Sequence, residues 1–339
     1  MTERVRPARL DDVARAAGVH VSTVSRVING GGDVAVRPDT RQRILAAARE
    51  LQYRPNAIAR GLRLATTGTL GLLVPSLRNP VNSPIVRGAF DRAWERSFVL
   101  VLAEDAGEGG AAEDAYERLV EEGRIDGLLI QSARLGNPNL DRFAGGPVPC
   151  VFMDRAHAGS GRNVTMRDSD AGRMAADHFL ELGHRSIAHL GGPVELDTVA
   201  RRRDGFVERA AEAACTPRVV TAPLSETGGF VAMQSLLRSK SAPTAVFVAN
   251  INQALGALAA VREVGARVPE ELSLLSHDDD PLCEYLETPL TAIRMPLHEL
   301  GTTAVDVLLE QVEGGPPRDV EIPIAPELVV RSSTAAAPR

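Results

Sequence analysis

Apolar positions near the start of the chain recur at helical spacing over two short stretches. Leu10, Val13, Ala14 and Ala17 stand at i, i+3, i+4 and i+7, which predicts one amphipathic helix. Gly18 can take a positive φ at little steric cost, so a sharp turn is expected there, with Val19 pointing inward. A second helix would bury Val24, Val27 and Ile28 and turn Val21, Ser22, Thr23, Ser25 and Arg26 outward. Small polar side chains with one arginine suit a helix laid in a DNA major groove, although two helices packed on a third share the pattern. A third helix is predicted near Pro38–Leu51, with Ile44, Leu45, Ala48 and Leu51 on one face. Pro38 suits its first turn, where a missing N–H costs nothing. Gly30–Gly32 reads as a flexible turn, and Tyr53-Arg54-Pro55-Asn56 breaks the helical pattern.

The texture changes at Gly68. Short apolar runs at 69–74, 98–103, 126–131, 148–153, 186–192, 218–222, 244–250 and 272–277 alternate with amphipathic stretches. Those stretches lie near Pro84–Arg96, Ala111–Glu122, Ala171–Leu182, Val199–Ala214, Gly228–Leu237 and Ala254–Val264. Continuous apolar strands between amphipathic helices imply parallel sheets covered on both faces, joined by right-handed crossovers. The runs fall into two sets, so the expected fold is a small all-α helix-turn-helix domain followed by an α/β core of two doubly wound parallel-sheet subdomains. Ligands of open α/β sheets bind beyond the C-terminal strand ends, which directs attention to the residues just past them.

The net charge of −6 argues against nucleic acid until its distribution is considered. Met1–Leu64 carries twelve arginines against six acidic residues, a net of +6, so the remainder carries −12. A basic head on an acidic body is the footprint of a small DNA-binding module attached to a larger domain that does not touch DNA. Lys240 is the single lysine, so phosphate contacts would fall to arginines, hydroxyls and backbone amides. No apolar run is long enough to span a bilayer, and MTERVRPARLDD has no apolar leader, so a cytoplasmic chain without membrane contact is expected. Cys150, Cys215 and Cys283 are far apart and odd in number, fitting buried thiols rather than a zinc site or disulfide frame.

Catalytic and cofactor motifs are missing. No G-x-G-x-x-G follows a strand, and there is no P-loop, no G-x-S-x-G elbow and no paired-histidine metal motif. His277-Asp278-Asp279-Asp280 could attract a hard cation, but polar ligand contacts at a strand end, or a helix cap, account for it more simply. His184 and His189 read as structural. An enzyme is not expected, nor a cofactor.

The segments DVARAAGV…TVSRVIN, YRPNAIARGL, GLLVPSLRNP, DGLLI, FMDR, DSDAG…HFLELGHRSIAHLGG, RRRDGF, PTAVFVAN, RVPEELSLLSHDDDPL, PLTAIRMP and PELVVRSS follow one another in a single order. In this the chain resembles the lactose-repressor (LacI/GalR) transcriptional regulators from about Leu10 to Thr334. The resemblance implies a helix-turn-helix head at 1–55 and a hinge helix at 56–66. It also implies a periplasmic-binding-protein-like core, with one subdomain from 67–163 and 294–322, the other from 164–293 and 323–334, and a tail at 335–339. It implies a homodimer binding double-stranded, pseudo-palindromic operator DNA under control of a small effector.

Roles follow position by position. Val21 and Ser22 would read bases, with Thr23, Ser25, Arg26 and Asn29 beside them, Arg26 toward a guanine edge. His20 replaces the usual capping serine. Loss of that cap would cost about 1 kcal/mol, unless the histidine contacts DNA instead. The Gly30–Gly32 loop is one residue longer than usual. Asn56, Ala59 and Leu62 fall on the hinge, where Leu62 would wedge open a base step. So short a helix is unstable alone in water, and DNA docking would supply the missing contacts. Gln131, Asp154, Thr198, Arg202, Asn250 and Asp278 fall on effector-contacting positions, with Arg202 equally able to hold an anion. Asn82 and Leu224 stand where a stacking ring is common, which disfavours a purine or a ring-stacked sugar, and Ile251 stands where an aspartate is common, removing one polar group; the effector's chemistry stays open, with a sugar-like polyol slightly favoured. The tail AAAPR lacks heptads, so tetramer-forming helices are not expected. Two other classes share parts of this pattern: a solute receptor with the same core, and an α/β enzyme with a regulatory head.

Overall fold

The computed structural model describes residues 8–29, 36–53, 66–77, 79–104, 118–119, 121–131 and 138–338. They divide into two compact units, one ending at Gly68 and the other starting at Thr69. The Gly30–Gly32 loop, the hinge positions Asn56, Ala59 and Leu62, and most of the helix expected near Ala111–Glu122 lie outside the described residues.

The head contains α1 (Leu10–Ala17), α2 (Val21–Asn29) and α3 (Pro38–Glu50). The Asp12 carboxylate accepts the Arg9 backbone N–H at 2.8 Å, placing negative charge at the start of α1. Gly18 ends that helix at φ +63, and the next N–H, from Val19, bonds to the Ala14 carbonyl. Val13, Ala14, Ala17, Val24, Val27, Ile44 and Ala47 form the core. Two details depart from the expected faces. Val21 is half-buried against this core, because it lies three residues before Val24 and seven before Ile28 on the same helical side. In α3 the inward residues are Ile44, Ala47 and Ala48, while Leu45 and Leu51 are exposed.

The second unit holds β1 (Thr69–Val74), α4 (Asn82–Glu95), β2 (Val99–Glu104), β3 (Gly127–Ile130), α5 (Pro138–Gly145), β4 (Cys150–Met153) and β5 (Asn163–Thr165). There follow α6 (Asp168–Glu181), β6 (Ile187–Gly191), α7 (Asp197–Glu212), β7 (Arg218–Thr221), α8 (Glu226–Leu237), β8 (Ala245–Val248), α9 (Ile251–Val264) and β9 (Ser273–His277). The last elements are α10 (Leu282–Tyr285), β10 (Thr291–Arg294), α11 (Leu297–Val312), β11 (Val320–Glu321) and β12 (Glu327–Val329). One sheet has the order β11-β5-β4-β3-β1-β2 and the other β12-β10-β9-β8-β6-β7. All pairings are parallel except β12 on β10. Parallel strands with both faces covered leave no polar side, which is why β3, β4, β6, β8 and β9 are buried throughout. The chain passes between the lobes after β5, after β10 and after β11.

Helices α6 and α7 pack backbone to backbone. A Cβ on Gly172 would collide with the Arg202 carbonyl, and one on Gly205 with the Ser169 carbonyl. Gly172→Ala must therefore push apart the helix that carries Arg202, at about 1–3 kcal/mol. We expect it to lower the core's melting temperature by roughly 5 °C, measurable by thermal denaturation followed by circular dichroism.

Candidate functional site

On α2, Ser22 and Arg26 are exposed one turn apart, while Thr23 and Ser25 are half-buried. The Arg26 Nε donates to the Ser22 carbonyl at 3.3 Å, which lays the guanidinium along the outer face. Asn29 closes the helix. His20 is exposed just before it, and its Nδ1 accepts the Ser22 backbone N–H at 3.3 Å. The same nitrogen lies 2.8 Å from the Ser22 hydroxyl. The imidazole thus takes the serine's place as the helix cap instead of forfeiting it, since a neutral ring nitrogen accepts as a hydroxyl oxygen does.

In the core, the strand ends supply the polar groups. Asp154 follows β4 at φ +69, and Asp278 follows β9 at φ +73. These are the fourth strands of two similar lobes, and aspartate tolerates this left-handed backbone better than most residues. Asp154 is half-buried, and burial, reinforced by Asp168, pushes its carboxyl up to about 6. Asp278 is buried and pushed up to about 7 by burial first, with Arg202 opposing and Asp154 and Asp168 adding to the rise. Both carboxyls therefore sense Arg202 and Asp168, and Asp278 senses Asp154 across the lobes.

Gln131 follows β3 and is buried. Its Nε2 donates to Asn82 Oδ1 at 2.8 Å, and Asn82 Nδ2 in turn donates to the Ser76 carbonyl. The Gln131 Oε1 is buried without a partner among the described residues. Asn250 caps α9, its Oδ1 accepting the Gln253 N–H at 2.8 Å and its Nδ2 donating to the Leu224 carbonyl at 3.3 Å. Thr198 is buried in the first turn of α7. One turn on, Arg202 donates from Nη1 to the Ala249 carbonyl at 2.5 Å and from Nη2 to Asp168 at 2.8 Å.

Asp168, at the start of α6, has no exposed surface and also pairs with Arg201 at 2.8 Å. Arg201 reaches across to the Asp154 and Met166 carbonyls. The sequence reading treated DSDAG only as a family marker and missed this carboxylate. The available signal was an aspartate opening a helix just after a strand, with unpaired arginines elsewhere in the core.

The His277–Asp280 run diverges as a structural cluster would. His277 is buried, Asp279 pairs with Arg294 and Arg331 at 2.7 Å, and Asp280 accepts the Leu282 N–H at 2.8 Å. Among the described residues, no group of three or more His, Cys, Asp or Glu side chains is arranged to hold a metal ion. His184 is held by Thr244, Ser273 and the Ala335 carbonyl, and His189 stacks on Phe247. All three cysteines are free and buried.

A three-helix head with an exposed polar recognition face, joined to two parallel-sheet lobes whose strand ends converge on polar groups, defines a ligand-responsive DNA-binding regulator. Residues 9–56 match the bacterial regulatory proteins of the lacI family, and residues 176–334 match a periplasmic binding protein-like domain. The chain is 32% identical over 333 residues to the HTH-type transcriptional repressor PurR of Haemophilus influenzae (strain PittEE), covering 96% of this chain and 98% of that protein. It is 33% identical over 332 residues to the ribose operon repressor of Escherichia coli (strain K12), covering 96% and 99%. The fold also matches a lac repressor dimer bound to operator and the anti-inducer ONPF, at TM-score 0.86 and 29% identity over 98% of this chain and 100% of the other. The chain belongs to the lacI family of bacterial regulatory proteins and is a transcriptional regulator with an effector-binding core.

The raised carboxyls give a pH test. Asp154 and Asp278 hold protons in the folded core at pH values where the unfolded chain has lost them. Their contribution to stability is therefore present below about pH 4 and is lost as the pH rises through 6 and 7. Between pH 5 and 8, the melting temperature of wild type should fall relative to that of the D154N/D278N double variant by at least about 2 °C. A constant gap would show that neither carboxyl is raised.

Proposed function

We propose that this chain is a cytoplasmic repressor that binds a pseudo-palindromic operator as a homodimer and is switched by a small uncharged sugar or polyol lodged between its lobes. Asp154, Asp278 and Arg202, drawn from both lobes yet close enough that Arg202 and Asp154 both act on the Asp278 carboxyl, are the observation that carries the reading. A ligand touching all three favours one arrangement of the lobes, and coupling extends as far as that preference does. Gln131, Thr198 and Asn250 would complete the ring of donors and acceptors. Asn82 and Leu224 leave no ring for stacking, which supports a hydroxylated ligand over a purine.

In the head, His20, Val21, Ser22, Thr23, Ser25, Arg26 and Asn29 would meet the major groove. Ser22 and Arg26 are best exposed for base edges, and Val21 offers only the outer part of its side chain. Asn56, Ala59 and Leu62 would enter the minor groove. Exposed Phe90 and Trp94 on α4, with Leu282 and Tyr285 on α10, offer apolar surface to a second copy. The lobe division at 67–163 with 294–322, against 164–293 with 323–334, is supported by the strand pairing, with β5 carrying the first lobe slightly past residue 163. The reading requires neither catalysis nor a cofactor. Among the described residues no helix is long and apolar enough to cross a membrane.

Selection of bound fragments from random duplex tests it. A recovered palindrome whose occupancy changes with a neutral sugar is the expected result. Failure to prefer any palindrome over random duplex, at low and moderate salt and with sugars added, would overturn the reading.

A further inference from the structure

Asp154, Asp168, Asp197 and Asp278 gather with the guanidiniums of Arg201 and Arg202 where the lobes face each other, Arg155 also acting on Asp154, and their pairing is unequal. Arg201 donates from Nε to Asp197 at 2.9 Å, and its Nη1 lies 2.8 Å from Asp168 Oδ2. Arg202 Nη2 lies 2.8 Å from Asp168 Oδ1. Asp168 and Asp197 together cancel both arginines. Asp154 and Asp278 are left over, and among the described residues neither forms an ion pair with an arginine. Arg202 therefore presents hydrogen-bond donors whose charge is already neutralised, beside two surplus carboxylates. Hydroxyl groups can donate to those carboxylates and accept from the guanidinium. Above about pH 7, where Asp154 and Asp278 are both ionised, a phosphate or carboxylate arriving beside Arg202 meets like charge from them.

We propose that Asp168 sets the charge selectivity of the cleft, neutralising Arg202 so that uncharged hydroxylated ligands are admitted and phosphorylated or carboxylated ones are excluded. This rests on reading the cleft as the effector site, and it decides between the two roles open to Arg202 on sequence alone. Asp168 touches no ligand. It acts through the arginine it pairs with.

The test uses full-length protein and inorganic phosphate at constant ionic strength, with binding followed by phosphorus NMR line broadening and calorimetry. Wild type should show no saturable phosphate binding. Asp168→Asn should bind phosphate at least roughly tenfold more tightly, and Asp168→Glu should restore exclusion, a charge-specific contrast that mere loosening of the fold would not produce. If Asp168→Asn fails to fold, Asp278→Asn removes a surplus carboxylate instead and should likewise gain phosphate binding. Wild type binding phosphate as tightly as the variants, or no gain in either variant, would overturn the proposal. Should no metabolite alter operator binding, the effector reading fails while the phosphate contrast still stands, so the two failures are distinguishable.

Discussion

Arg202→Ala is expected to abolish the response to effector while leaving operator affinity in its absence within about twofold. Truncating a buried, hydrogen-bonded charged partner costs about 2–5 kcal/mol, or at least roughly 30-fold in effector affinity. The structure adds a second consequence. Asp168 has no exposed surface and, among the described residues, would keep only Arg201 as an ion-pair partner, so the core should also lose stability, by up to about 3 kcal/mol. Arg202→Lys separates the two effects: it retains a charge near Asp168, but a single ammonium cannot reproduce the fork that spans Asp168 and the Ala249 carbonyl. It should fold like wild type and respond poorly. Titration of labelled operator against effector checks both variants, and an unchanged dose response in either would remove Arg202 from the site.

Leu62→Ala should weaken operator binding by roughly 100-fold, since a side chain that unstacks a base step contributes a few kcal/mol through the bend it produces. Binding to random duplex should change by no more than about twofold, because that mode depends on phosphate contacts the leucine does not make. The expectation comes from the YRPN-x-x-A-x-x-L spacing around Asn56 and Ala59. Equal loss on both DNAs would make Leu62 an ordinary packing residue. Gel-shift titrations at two salt concentrations distinguish these outcomes.

His20 shows how far local rules reach. Sequence reasoning finds histidine where a capping serine is usual and leaves two outcomes, a lost cap or a histidine turned to DNA, because histidine ranks poorly among capping residues. The ring instead turns back so that Nδ1 faces the Ser22 N–H, a rotamer choice that no spacing rule encodes. The sequence places Val21 on the outer face with Ser22, Thr23, Ser25 and Arg26, yet its register with Val24 and Ile28 draws part of it into the core. The four short strands β5, β10, β11 and β12 were not foreseen either. Two to four residues carry too little periodicity to announce a strand; β5, β10 and β11 form just before the chain leaves a lobe, and β12 just after it arrives in one.

What the sequence determined by itself was everything governed by local period and local composition: the two short helices and the turn at Gly18, the alternation of buried strands with amphipathic helices, and the basic head on an acidic body. It also marked the polar residues just past the strand ends, because chain direction in a parallel sheet dictates where they must emerge. Only tertiary structure decided how those groups are charged and paired. Asp168, Arg201 and Arg202 meet across two helices that pack through Gly172 and Gly205, and Asp154 and Asp278 meet from separate lobes. Burial and proximity set their protonation, and both depend on distances between residues far apart in the chain.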